Sequence, residues 1–280
     1  MPDTPSNRAS HPASLGSSRW SDLTRRLRTA LVLLPVALLC VWVGGYAFLL
    51  LVAVACLLLV SEWTTMCGRG ITTVSGFAMM TVIAAAAVCG GLGLPAIGLL
   101  LVLAGTVAAA MGAGFNLALG FPYLGLAAVA VSWLRADPDA GLANTLFILT
   151  LIWASDVGAY MIGRLVGGKK MVPSISPGKT WSGAAGGLLC AVLAGLAAAA
   201  CLSSGYSPSH VVALTIVLGI ISQAGDLLES ALKRHFGVKD SGSIIPGHGG
   251  LLDRLDALLA VAPVAALLAL TAGRGVVLWR

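Results

Sequence analysis

Apolar side chains run for about 20 residues at a time along this chain, broken by glycine, proline or charge, and they do so nine times. The runs fall at 29–44, 46–66, 71–89, 94–113, 115–134, 142–163, 183–202, 210–228 and 251–271. About 20 apolar residues in a helix match the hydrocarbon thickness of a bilayer. The pattern predicts an all-α polytopic membrane protein of about nine transmembrane helices, with catalytic loops on the cytosolic side. Gly44-Gly45 leaves little room for a turn between the first two spans, and the 94–134 region admits other divisions. From Ile71 to Leu134 there is no Asp, Glu, Lys, Arg or His, so that block reads as scaffold.

Composition agrees, with 58% hydrophobic residues and a mean hydropathy of +0.95, far above a soluble domain of this length. Charge then sets the orientation. With the amino terminus in the cytosol and nine spans, Arg8, Arg19, Arg25, Arg26, Arg28, Arg69, Arg164, Lys169, Lys170, Lys179, Lys233, Arg234, Lys239 and Arg254 are cytosolic. Only Arg135, Arg274 and Arg280 remain outside, a strongly positive-inside division. The net charge of +6 describes a basic cytosolic face suited to anionic headgroups or a polyphosphate, or serving topology alone. Nucleic acid is not an expected partner, because no soluble basic domain exists to carry it. Residues 1–22, rich in Ser, Pro and Arg, read as a disordered cytosolic tail rather than a cleaved signal peptide. The expected organisation is that tail, an N-terminal transmembrane scaffold over 23–134, and a C-terminal catalytic transmembrane region over 135–280. The six cysteines form no CxxC pair and read as apolar filler.

Chemistry concentrates in Ser230 to Asp256, where two lysines, two arginines, three aspartates and two histidines share 27 residues of a chain that is only 10% charged. Of the eleven carboxylates, Glu62, Asp156, Asp226, Glu229, Asp240, Asp253 and Asp256 fall on the cytosolic side or just below that interface. A carboxylate at that depth needs a cation, a proton or a wet cavity. Asp226 and Ser230 stand four apart and Asp253 and Asp256 three apart, so each pair shares one helix face. Two antiparallel helices joined by a cytosolic loop bring those faces together. Hard oxygen ligands without clustered Cys favour Mg²⁺ over a transition metal. The plainer alternative is a set of interfacial charges paired with Arg234, Arg254 and Lys239.

Two loops are suited to phosphate. Pro246-Gly247-His248-Gly249-Gly250 precedes the helix that carries Asp253, offering bare N–H groups and a helix amino terminus to oxyanions, although any tight turn uses glycine. His248 either contacts phosphate or caps the turn. The second loop holds Lys169-Lys170 and then Ser176-Pro177-Gly178-Lys179-Thr180-Trp181. It is not a P-loop: Pro173 stands where the first glycine is required, and no strand is expected before it. Trp181 also suits an interface anchor.

These residues carry a resemblance. Ser230-x-Leu232-Lys233-Arg234, then Lys239-Asp240, Gly242 and Ile245-Pro246-x-His248-Gly249-Gly250-Leu251-x-Asp253-Arg254-Leu255-Asp256, resemble the full signature of the phosphatidate cytidylyltransferases. Ser155-Asp156-Val157-Gly158-Ala159-Tyr160 is similar to the family's D-T-G-A-Y, and Ser176 to Gly183 to its S-P-K-K-T-W-E-G. Val157, Gly178 and Ser182 depart from the usual Thr, Lys and Glu, so no ligand role is assigned to those three. The motifs cover roughly 153 to 260; the first half matches in hydropathy alone.

The resemblance implies transfer of a cytidylyl group from CTP to phosphatidate, giving CDP-diacylglycerol and pyrophosphate in phospholipid biosynthesis at the cell membrane. It implies Mg²⁺, one ion or two, held by Asp226, Asp253 and Asp256, with Asp156 as a further ligand or a group bonded to one. Lys239, Arg234 and Lys179 are the candidates for phosphate contacts, and Lys233, Arg254, His248, Gly249 and Gly250 complete the substrate-binding set. Asp240 is either a ligand or the ion-pair partner of a lysine, and Ser230 a minor ligand or a packing hydroxyl. The bilayer is a partner by construction, and a homodimer stays open. A cytidylyltransferase for another lipid phosphate shares this site chemistry. A CDP-alcohol phosphotransferase requires D-G-x-x-A-R, which is absent. A secondary transporter buries carboxylates in Gly-rich helices too, but has no need of basic, glycine-rich loops.

Overall fold

In hydrocarbon every backbone N–H and C=O must find its partner within its own segment, so each apolar run closes into one helix. The computed structural model describes residues 31–203, 205–242 and 249–280. Its helices are α1 (Leu31–Val43), α2 (Gly45–Met66), α3 (Val74–Gly91), α4 (Pro95–Gly112), α5 (Phe115–Arg135), α6 (Gly141–Val166), α7 (Trp181–Leu202), α8 (Pro208–His235) and α9 (Leu252–Ala272). Eight of them, α2 to α9, are long and apolar enough to cross a membrane, and the described part of α1 is shorter. The protein is a helical, multi-pass membrane protein. Each expected run has its helix, while the 1–22 tail lies outside the described residues.

Local chemistry sets the breaks. Gly44 and Gly45, with φ of 70° and 50°, end one helix and begin the next in a backbone region closed to most side chains. Gly114, with φ of 99°, divides the 94–134 region between α4 and α5. Pro95 and Pro208 stand at the first positions of α4 and α8, where a missing N–H costs nothing. One departure from the all-helical expectation occurs between α6 and α7. There β1 (Lys170–Val172) and β2 (Ser176–Thr180) form a small antiparallel hairpin, pairing Lys170 with Thr180 and Val172 with Ser176. The expectation that no strand precedes Gly178 is therefore corrected. Pro173 still forbids a P-loop, and Lys179 lies on β2 itself.

Two apolar cores form. One gathers Phe48, Trp63, Met79, Ile83, Phe121 and Leu124 from α2, α3 and α5. The other gathers Phe147, Leu151, Leu218, Val261 and Trp279 from α6, α8, α9 and the C-terminal tail. Helix α5 packs on α2, α3 and α4 and also on α9, which joins the halves. Between α6 and α7 the backbones meet through small residues: a Cβ on Gly187 would stand 2.7 Å from the Ser155 carbonyl oxygen. The ends of the helices thus separate into two groups. The last turns of α2, α6 and α8 share one end with the hairpin and the start of α9, while the α5–α6 connection and the C-terminal tail occupy the other.

Candidate active site

Helix α8 carries Asp226, Glu229 and Lys233 at i, i+3 and i+7, which places them on one face. That face lies against the first turns of α9. The approach is close because Gly225 has no side chain: a Cβ there would stand 2.5 Å from that of Ala260 and 3.0 Å from the Asp256 carbonyl oxygen. Carboxylate oxygens of Asp226, Glu229 and Asp256 consequently lie within 4.8 Å of one another. Lys233 Nζ sits 2.8 Å from Glu229 Oε2 and 2.9 Å from Asp253 Oδ1, so one ammonium group joins the two helices. Glu229 is only 1% exposed, and its Oε1 has no hydrogen-bond partner among the described residues.

Three carboxylates this close repel unless a cation or a shared proton intervenes. Lys179 and Lys233 neutralise part of the charge. The unpartnered Glu229 oxygen and the all-oxygen donor set fit a hard divalent cation such as Mg²⁺. Of the four aspartates expected as ligands, the structure brings Asp226 and Asp256 into this group together with Glu229. Asp253 is turned instead toward Lys233 and toward the backbone N–H groups of Ser241, at 3.3 Å, and Gly250, at 3.1 Å. Asp156 approaches from α6 and lies within electrostatic range of Asp226, Asp256 and Lys179.

Asp156 and Asp226 also line a cavity of about 570 Å³ among α6, the hairpin, α7 and α8, with Tyr160, Arg164, Lys170, Lys179 and Gln223 on its other walls. Lys179 reaches across it from β2, its Nζ 2.7 Å from Asp226 Oδ2. The next residue, Thr180, accepts the Gly183 N–H at 3.1 Å and so caps α7, pinning the strand that delivers Lys179. Ser182 donates to the Gly167 carbonyl, tying the same turn to the end of α6. Arg164 donates to the Tyr160 hydroxyl at 2.9 Å. At Gly178 a Cβ would meet open space, so a longer residue fits there without displacement.

The other expected residues are more dispersed. Ser230 is half-buried one turn beyond Asp226, and Arg234 is exposed and donates to the Val238 carbonyl at 3.2 Å. Lys239 and Asp240 are exposed in the turn after α8, and Arg254 is exposed on the first turn of α9. Gly249 has a φ of 85°, and His248 lies outside the described residues. The N–H of Gly250, offered above to an oxyanion, is occupied by Asp253, and those of Leu251 and Leu252 by Glu62. Sequence reasoning counted Glu62 and Glu229 among the carboxylates of the cytosolic side without giving either a role, and it missed Tyr123. Glu229 carried a usable signal, its i+3 spacing from Asp226. Glu62 was visible as a lone acid in an apolar run. Tyr123, a half-buried residue of α5 whose hydroxyl lies within electrostatic range of Glu229, Asp256 and Asp226, had no signal in an uncharged block.

Comparison with known proteins bears on this arrangement. The model of the cytidylyltransferase family matches residues 24–272. The phosphatidate cytidylyltransferase of Brucella suis biovar 1 is 39% identical over 250 residues, covering 86% of this chain and 91% of its own length. That of Brucella abortus (strain 2308) is also 39% identical over 250 residues with the same coverage. The phosphatidate cytidylyltransferase of Staphylococcus epidermidis (strain ATCC 12228) is 48% identical over 124 residues, 44% of this chain and 48% of its own. With the match spanning both halves of the molecule, the chain belongs to the cytidylyltransferase family.

Proposed function

We propose that this protein is a phosphatidate cytidylyltransferase of the cell membrane, with its site open to the cytosol. It joins CTP and phosphatidate to give CDP-diacylglycerol and pyrophosphate. The observation that carries the reading is the group formed by Asp226, Glu229 and Asp256 beside Lys179, at a cavity lined by α6, a helix that also exposes the apolar side chains of Val157 and Met161. A lipid phosphate and a soluble nucleotide can meet only at such a boundary. The basic residues at this end of the bundle support a cytosolic orientation by the positive-inside rule.

In the reaction a phosphate oxygen of phosphatidate bonds to the α-phosphorus of CTP. The bond from that phosphorus to the bridging oxygen breaks, and pyrophosphate leaves with the electron pair. The nucleophile is already an anion, so no strong general base is required. What the site must supply is charge neutralisation and alignment. Lys179, with Arg164 and Lys170 lining the same cavity, draws in phosphate groups, while the exposed Lys239 and Arg234 receive the nucleotide from the aqueous side. Asp226, Glu229 and Asp256 would hold Mg²⁺, with Asp156 beside them, and the ion would offset negative charge on the reacting phosphates and the leaving group. Lys233 keeps Glu229 and Asp253 in register across α8 and α9.

The test is pyrophosphate release by the purified protein in detergent with CTP, Mg²⁺ and phosphatidate. Release should require all three components and should fall at least about 100-fold in Asp226→Asn, roughly 2.7 kcal/mol of transition-state stabilisation. Turnover with a polyprenyl phosphate but none with phosphatidate would replace the lipid substrate. An Asp226→Asn variant as active as the wild type would remove the carboxylate group from the mechanism.

A further inference from the structure

Helix α9 begins without a cap of its own. Its first N–H groups have no partner within the helix, and the residue at the cap position is Leu251, whose side chain cannot accept a hydrogen bond. The acceptor comes instead from α2. Glu62 Oε2 takes the Leu252 N–H and Oε1 the Leu251 N–H, both at 2.8 Å, and Ser241 Oγ donates to Oε2 at 3.2 Å. Glu62 is 2% exposed, so these donors, at the amino end of α9, take the place of water around its carboxyl oxygens. The surrounding backbone is shaped to admit it. A Cβ on Gly250 would stand 2.9 Å from Glu62 Oε2, and one on Gly242 would stand 3.0 Å from its Cγ and Oε1. One carboxylate therefore fastens Ser241, at the close of the turn after α8, to Leu251 and Leu252, at the start of α9. Asp253 and Asp256 follow within the first two turns, so the same clamp sets the rotation and depth at which they face α8.

We infer that Glu62 is a positioning residue for cytidylyl transfer, a clamp from the N-terminal half that fixes the start of α9 and thereby aims Asp253 and Asp256. The inference rests on the reaction proposed above, so its test has two arms. Glu62→Gln preserves shape but leaves one acceptor oxygen for donors that now use two. In detergent, hydrogen–deuterium exchange over residues 250–256 should quicken by about tenfold or more in this variant, with α8 before Asp226 unchanged. For pyrophosphate release, kcat should fall by about tenfold or more with KM for CTP within about threefold of wild type, because alignment is lost and ground-state binding is not. Gly242→Ala, which crowds Glu62 without removing it, should shift kcat in the same direction. Unchanged exchange in Glu62→Gln would overturn the inference, as would faster exchange with wild-type kcat, or a loss confined to KM. Should Glu62→Gln not fold, Gly242→Ala decides on the same criteria. A wild-type protein that releases no pyrophosphate would refute the proposed reaction, while the exchange arm still reads the clamp.

Discussion

Lys233 serves two carboxylates at once. Its ammonium group lies between Glu229 on its own helix and Asp253 on α9, and all three side chains are largely withdrawn from solvent. An isolated charge in such a place is far more costly than a paired one, so the pair's integrity matters more than its net contribution. Replacing Lys233 with Met leaves two buried carboxylates without their shared cation. The expected loss is about 3–5 kcal/mol of stability, read as a fall in the thermal unfolding midpoint in detergent. Glu229→Gln in the same background removes one of the stranded charges and should restore part of that midpoint; no recovery would mean that the loss does not arise from a stranded Glu229 charge.

At the level of elements, the site depends on how closely α8 and α9 approach. Gly225 is a point of close contact, and Gly225→Leu places a side chain where Ala260 and the Asp256 carbonyl already stand. Overpacking of this kind costs about 1–3 kcal/mol, and separation of the helices should also depress pyrophosphate release more than it depresses stability. An unchanged rate in a folded variant would show that the spacing between the helices is not critical. The apolar run at 210–228 marked α8, but the helix continues to His235, because hydropathy records where hydrocarbon ends and not where hydrogen bonding does. Asp226 and Asp256 were legible from spacing, whereas Asp253 was drawn to Lys233 by a contact that no spacing rule encodes. The hairpin was not legible at all. Ser176 to Thr180 contains Pro and Gly, both poor strand formers, and it is extended because Thr180 must cap α7 while Lys179 reaches Asp226.

Across the whole molecule, the end opposite the site is closed by the C-terminal tail. Trp279 is fully buried, stacked on Phe147 with ring centroids 4.4 Å apart, and its indole N–H donates to Ser203 Oγ at 2.9 Å. The Leu278 N–H donates to Asn144, and that of Gly275 to Asp137. Trp279→Ala should cost about 3–5 kcal/mol of stability yet leave kcat near wild type at low temperature, since no group of the tail lies at the site. Asp137 adds a pH dependence. Its partial burial opposes ionisation, but the N–H groups of Ala140, Gly275 and Asp139, with Arg274 nearby, outweigh that and hold its carboxyl below the usual carboxylate range. Stability from this contact is therefore complete above the ordinary carboxylate range and is lost as pH falls through the lowered value. Asp137→Asn should flatten that acid limb of the unfolding midpoint.

The clamp at Glu62 has a consequence for how the protein can be divided. A fragment starting at residue 135 would hold Asp156, Asp226, Glu229, Asp253 and Asp256, and by motif content alone would pass for a complete enzyme. It would lack the acid that caps α9 and Tyr123 of α5, whose hydroxyl lies within electrostatic range of the carboxylates. Such a fragment should be silent alone, and co-expression with residues 1–134 should revive it only while Glu62 is present, which makes α2 part of the enzyme's working unit rather than its housing.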